Sequence, residues 1–178
     1  VPQHIALLRG INIGSRRRIA MSDLRAVLTA AGYENVRTLL QSGNVLIEAD
    51  AEGTVVARDV ERRILASFGI DVPVIIRSKA ELADVIARNP IAHAAEDPKR
   101  YQVSFLSAAL EPSVAEMIRA VDVAPEQIVI SGSEIFTWHP AGIQQSAASK
   151  LLTDRKLGVT LTARNWNTVA KLFELAVA

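Results

Sequence analysis

The chain has 178 residues, no cysteine and a net charge of +1, with 49% hydrophobic and 22% charged residues. A chain of this length buries enough surface to fold without a disulfide or a metal, and the missing cysteines exclude disulfides, thiolate nucleophiles and zinc–thiolate sites together. No apolar run approaches the ~20 residues of a membrane span and no secretory pattern is visible, so the expectation is a cytoplasmic protein without membrane contact.

Residues 3–9 form a short apolar run ended by a glycine, the pattern of a buried strand. A loop over 10–19 follows. A helix is expected from about Ser22 to Ala31, capped by Ser22 and stopped by Gly32, with Leu24, Val27, Leu28 and Ala31 on its inner face. Residues 36–41 and 45–49 read as strands around the turn Ser42-Gly43-Asn44. Thr54 is placed to cap a second helix carrying Val56, Val60, Ile64 and Phe68, ended by Gly69. A fourth strand is expected over 72–76, with Pro73 at its entry. Ser78-Lys79-Ala80-Glu81 is a capping box that opens a helix with Leu82, Val85 and Ile86, and Asn89-Pro90 stops it. Residues 93–100 are polar and serve as the linker.

The order then recurs. Residues 101–106 read as a strand, and Ser113-Val114-Ala115-Glu116 as a second capping box for a helix with Val114, Met117, Ile118 and Val121 inward. Strands over 127–130 and 135–138 flank Ser131-Gly132-Ser133. Residues 146–157 are expected to be helical up to Gly158, and 159–162 to be a strand. Asn165 caps a closing helix with Trp166, Val169, Ala170, Phe173 and Val177 inward. The pattern is α+β: a tandem duplication of a ferredoxin-like βαββαβ unit, with mainly antiparallel sheets and helices on one face. Residues 1–92 are the first subdomain with its connecting helix, and 99–178 the second with a C-terminal helix, in one compact two-part unit.

Several separated motifs carry a resemblance. They are Ala6-Leu7-Leu8-Arg9-Gly10-Ile11-Asn12-Ile13-Gly14, Met21 with Leu24, Gln41-Ser42-Gly43-Asn44-Val45, Ser149-Lys150-Leu151, Arg155-Lys156-Leu157-Gly158, and Arg164-Asn165-Trp166-Asn167-Thr168-Val169 with Lys171-Leu172. In this order they resemble an uncharacterised, mainly bacterial family, domain of unknown function 1697, nearly from end to end. The resemblance implies a two-part α+β fold and no catalytic residue. The position after Gly14 is often a second glycine in that family and is Ser15 here, which implies a stiffer loop.

The loop 10–18 is the chemically unusual stretch. Gly10 and Gly14 permit backbone shapes that other residues resist. A loop between a strand and a helix start directs amides at an anion, and Arg9, Arg16, Arg17 and Arg18 add charge-assisted bonds. Asn12 and Ser15 complete it. Neither a Walker motif nor Gly-x-Gly-x-x-Gly is present. A solvated tight turn explains the same residues. Ser42 and Asn44 of the first hairpin, and Arg164 and Asn165 at the last helix, are further candidates, although turns and caps also use these residue types. Tyr101, Phe105, Phe136 and Trp138 fall on single strand faces, which suits base stacking and equally suits a core.

His4, His93 and His139 are scattered without metal-ligand spacing, no nucleophile elbow occurs, and no cofactor is expected. Residues 1–90 carry 12 basic against 10 acidic side chains and residues 91–178 carry 8 against 9. That balance excludes a general nucleic-acid-coating domain. The first expectation is a binding module for an anion, a nucleotide or nucleic-acid phosphate. An enzyme on a small phosphorylated or carboxylated metabolite and a protein–protein interaction module are the alternatives, and homo-oligomerisation stays open.

Overall fold

The first apolar run becomes β1 (Gln3–Leu8), the inner strand of a four-stranded antiparallel sheet in the computed structural model, which describes residues 1–178. Its neighbours are β3 (Asn44–Glu48) and β4 (Val74–Ser78), and β2 (Glu34–Leu39) lies outside β3. The second sheet repeats this order: β5 (Tyr101–Leu106) is flanked by β7 (Glu134–Trp138) and β8 (Leu161–Asn165), with β6 (Gln127–Ser131) outside β7. Both are the split βαβ arrangement, so the ferredoxin-like plan occurs twice. By packing, the chain divides into Val1–Asp84 with Leu172–Ala178, and Val85–Lys171, rather than into the expected halves 1–92 and 99–178.

In the first unit α1 (Met21–Ala30) and α2 (Gly53–Phe68) cover one face of the sheet. Ala6, Leu8, Val45, Ile47 and Val74 meet Leu24 and Leu28 of α1 and Val56, Val60 and Ile64 of α2. Each such aliphatic side chain contributes about 1.5–3 kcal/mol by leaving water. Ile5, Leu7 and Leu46 on the opposite face are also fully buried. In the second unit Leu106, Ile118, Ile135, Leu157 and Leu161 form the corresponding core, with α4 (Pro112–Arg119) and the short helices α5 (Ala147–Leu151) and α6 (Asp154–Leu157).

Local signals govern the helix ends. After α1, the amides of Gly32 and Tyr33 donate to Thr29 and Leu28, a Schellman stop that needs the left-handed Gly32 (φ 98°). The capping box at α3 (Lys79–Arg88) forms as expected: Ser78 N–H donates to Glu81 at 2.7 Å and Glu81 N–H to Ser78 Oγ at 3.1 Å. Asn165 Oδ1 accepts from Thr168 N–H at 2.9 Å and opens α7 (Trp166–Val177).

Three expected caps do not form. The caps of α1, α2 and α4 are Ala20, Glu52 and Glu111, with no side-chain bond, and Ser22, Thr54 and Ser113 lie inside their helices. For α4 the cause is Pro112, which starts the helix two residues early with its fixed φ. The helix expected over 146–157 is broken in two, because Thr153 caps α6 afresh. Met117, Val121 and Val177, expected inside, are exposed.

The two hairpins differ. Gly132 and Ser133 form a two-residue turn between β6 and β7, whereas Leu40 to Gly43 form a four-residue loop between β2 and β3. Asn44 is therefore not a turn residue but the first, fully buried residue of β3. Gly43 (φ 87°) packs so closely that a Cβ there would lie 2.8 Å from Ile11 Cδ1 and Leu8 Cβ, while nothing lies within 4 Å of a Cβ at Gly132. Urea denaturation tests this difference. Gly43→Ala should lose about 2–4 kcal/mol from strain and overlap together, and Gly132→Ala only about 1 kcal/mol.

Candidate functional site

The loop after β1 is held by its own polar groups. Asn12, left-handed at φ 53°, donates from Nδ2 to Ile19 O at 2.9 Å and Gln41 O at 2.7 Å. Its Oδ1 accepts from Ile19 N–H at 2.8 Å, and its N–H donates to Arg17 O at 2.9 Å. One amide side chain thus closes the loop on itself and ties it to the first hairpin. Ile11 is buried beneath the loop and Ile19 at its exit, so the stretch is anchored at both ends.

The arginines divide by role. Arg17 Nε donates to Gly10 O at 2.7 Å and Nη2 to Asp71 O at 2.8 Å, so this guanidinium braces the loop. Arg18 Nη1 reaches Gly14 O at 3.1 Å. Arg16 is exposed, with no side-chain hydrogen bond. None of the three pairs with a carboxylate. Ser15 and Gly14 are exposed at the tip, beside Ile13 at 70% exposure. Arg9 is half-buried, and its N–H donates to Pro73 O at 3.0 Å.

Of the other expected residues, the structure brings the first hairpin to this loop. Gln41 accepts from Asn12, and Gly43 packs on Ile11. Ser42 is exposed, and its Oγ accepts from Asn44 Nδ2 at 3.1 Å. Asn44 also donates to Leu39 O at 2.8 Å, which closes the hairpin. Arg164 and Asn165 belong to the second unit. Arg164 is 7% exposed and donates to Thr162 Oγ1 at 2.7 Å and Ala163 O at 2.9 Å. Burial pushes its pKa down to about 10.

The strand aromatics are core. Tyr101, Phe105 and Phe136 are fully buried, and Tyr101 stacks on Trp166 at 5.1 Å. The Tyr101 hydroxyl donates to Asn89 Oδ1 at 2.6 Å, and burial pushes its pKa up to about 12. Trp138 is half-buried and meets His93 edge-on at 5.5 Å. They do not form a stacking platform.

A buried cluster escaped the sequence reading. His139, Glu126 and Ser146 meet in the second unit: His139 Nδ1 lies 2.7 Å from Glu126 Oε2 and 3.0 Å from Ser146 Oγ. Ser146 O–H donates to the same Oε2 at 2.5 Å, and Ala148 N–H to Oε1 at 3.1 Å. A serine nucleophile needs its base and the orienting acid on opposite ring nitrogens. Here both converge on Nδ1 and Nε2 faces Thr137 Oγ1 at 3.2 Å, so the cluster locks a loop rather than relaying a proton. Nothing in the spacing of 126, 139 and 146 announces it.

The chain matches, over residues 1–136, the family described as protein of unknown function (DUF1697). No curated protein matches it. Among solved structures it is similar to that of the conserved bacterial protein SP0830 from Streptococcus pneumoniae, at a TM-score of 0.80 and 19% identity over 99% of each chain. That likeness supports the fold. No helix is long and apolar enough to cross a membrane.

Two outcomes are expected. Burial alone would raise the pKa of Glu126, but hydrogen bonds from Ser146, His139 and the Ala148 amide outweigh it and hold the carboxyl below its ordinary value. Its stabilisation is therefore present above the unfolded pKa of about 4.3 and is lost as pH falls through the lower folded value. In urea titrations Glu126→Gln should cost about 1–2 kcal/mol at neutral pH, and the gap to wild type should close in acid. Asn12→Ala should speed hydrogen exchange at the Ile19 amide at least roughly tenfold, because that amide loses its acceptor.

Proposed function

We propose that this chain, which belongs to the family described as protein of unknown function (DUF1697), is a cytoplasmic binding module for phosphate-bearing anions, a nucleotide or a nucleic-acid backbone, through its loop 10–18. One observation carries this reading. Arg16, Arg17 and Arg18 are exposed and unneutralised on a loop already braced by Asn12 and Arg17. A braced loop loses little freedom when it takes up a ligand. Guanidinium groups facing no carboxylate keep their full attraction for phosphate. The amides of Asn12 and Ile19 are already bonded within the loop, so at those two positions the backbone is spent on holding the loop. Residues 10–19 contain no Asp, Glu or His, which favours binding over acid–base chemistry at this loop.

Fluorescence anisotropy of a short DNA duplex and of a labelled nucleotide, across a salt series, tests the proposal. Three phosphate contacts give a slope of about −0.9 × 3, or −2.7, on the duplex, with a dissociation constant on the order of 10⁻⁴ to 10⁻⁶ M. Arg16→Ala with Arg18→Ala should bring the slope to roughly −1, with Arg17 kept because it holds the loop. A flat salt response, or unchanged binding by the double variant, would falsify it.

A further inference from the structure

Each sheet ends in two edge strands, and an edge strand offers unpaired N–H and C=O groups to any other chain. Three of these edges carry a device that closes them. On β4 the Val74 N–H donates to Glu61 Oε1 at 3.0 Å, and the Ile76 carbonyl accepts from Arg77 Nη1 at 3.0 Å. β8 is closed at the matching places: Leu161 N–H donates to Asp154 Oδ1 at 3.2 Å, and the Ala163 carbonyl accepts from Arg164 Nη1 at 2.9 Å. In both strands a carboxylate and a guanidinium of the chain itself occupy outward-facing backbone groups. On β2 the pairing is irregular between Glu34 and Arg37, both charged, and Asn35 between them is left-handed at φ 48°. Bulges and charges of this kind keep a further strand from adding.

β6 has none of these. Gln127-Ile128-Val129-Ile130-Ser131 contains no charge, proline or glycine, and its register with β7 is unbroken from Gln127↔Trp138 to Ser131↔Glu134. The two-residue turn makes Ser131 and Glu134 a hydrogen-bonded pair, and alternation then directs the N–H and C=O of Ile128 and Ile130 away from β7. No group of the chain bonds to them; Arg88 reaches only Ser131, at the strand's end. Ile128, Val129 and Ile130 are half-buried, so each keeps apolar surface in water.

We infer that β6 pairs antiparallel with β6 of a second copy of this chain, about a two-fold axis through Val129. In that register Ile128 faces the partner subunit's Ile130, so every outward N–H and C=O meets its complement. Val129 faces the partner subunit's Val129, and Gln127 the partner subunit's Ser131, so no like charges oppose one another. Ile128 and Ile130 pack on the second-unit core, and the joint extends that core from one copy into the other. A contact along one strand edge is at the small end of specific interfaces, about 1,200 Å² or less, so the dimer forms as concentration rises.

Sedimentation velocity of the full chain from about 10 µM to about 1 mM, where a contact this small associates, should show the average coefficient rising from monomer toward dimer. Val129→Lys and Val129→Glu, each alone, should remove that rise, because like charges then meet at the axis, and their equimolar mixture should restore it. Cross-linking supplies an independent arm, since the chain has no cysteine. Across the axis the two positions 129 lie about 4.5 Å apart at Cα, within disulfide reach. The two positions 127 are offset by the span from 127 to 131, about 13 Å. With oxidised glutathione, Val129→Cys should form a disulfide-linked dimer at least roughly tenfold faster than Gln127→Cys. The inference is overturned if the chain stays monomeric throughout, which leaves the edge to an extended segment of another protein. It is equally overturned if either charge variant alone associates as wild type does, or if the two cysteine variants cross-link alike.

Discussion

An inner strand hydrogen-bonded along both edges and covered on both faces has no place for a charge, and β1 and β5 are such strands. Residues Ile5 to Leu8 are buried without exception, and so are Val103 to Leu106. A charge there would be stripped of water with no partner in reach, at a cost of several kcal/mol. Polar chemistry is therefore displaced to the strand ends. The same backbone bonds fix those ends in both halves. Leu8 N–H donates to Gly43 O as Leu106 N–H does to Ser133 O, each at 2.9 Å. Arg9 and Ser107 likewise donate to Pro73 and Thr160. The frame is shared, and what the chain does next is not. After β1 it makes a braced arginine loop; after β5 it passes quickly into Pro112 and α4.

Several polar groups withdrawn from water are held by partners remote in sequence, while Arg77 and Arg164 donate to near neighbours. Arg88 pairs with Glu134, donates to Ser131 Oγ at 2.7 Å and lies 5.8 Å from the Phe136 ring, which fastens α3 to the second sheet. Glu126, His139 and Ser146 satisfy one another. Arg77 and Arg164 occupy matching places, each one residue before the cap of the following helix and each buried. Such groups cost stability when a partner is removed, and so they favour one arrangement of the chain over its alternatives.

The fold was largely legible because its signals are local. Apolar runs, turn residues and glycine stops mark the strands and helix ends, and these act within a few residues. Gly32, Gly69 and Gly158 stop helices as their positions suggested. The local signals mislead where one preference overrides another. Pro112 outranked Ser113 as the start of α4, and Thr153 restarted a helix that the apolar pattern alone would continue. Of the loop candidates, Arg16, Arg17 and Arg18 are exposed as a charge run suggests, whereas Asn12, Asn44 and Asn165 complete backbone hydrogen bonding.

The amino-acid order alone determined two runs of strand, helix, hairpin, helix and strand, because periodicity and left-handed stops depend only on near neighbours. The tertiary structure decided which polar side chains stay available. Asn12 finds Gln41 across 29 positions, and Ser146 finds Glu126 across 20. Those meetings depend on strand register and on how each loop returns to the sheet. A carboxylate or guanidinium acquires or lacks a partner only when distant segments arrive beside it.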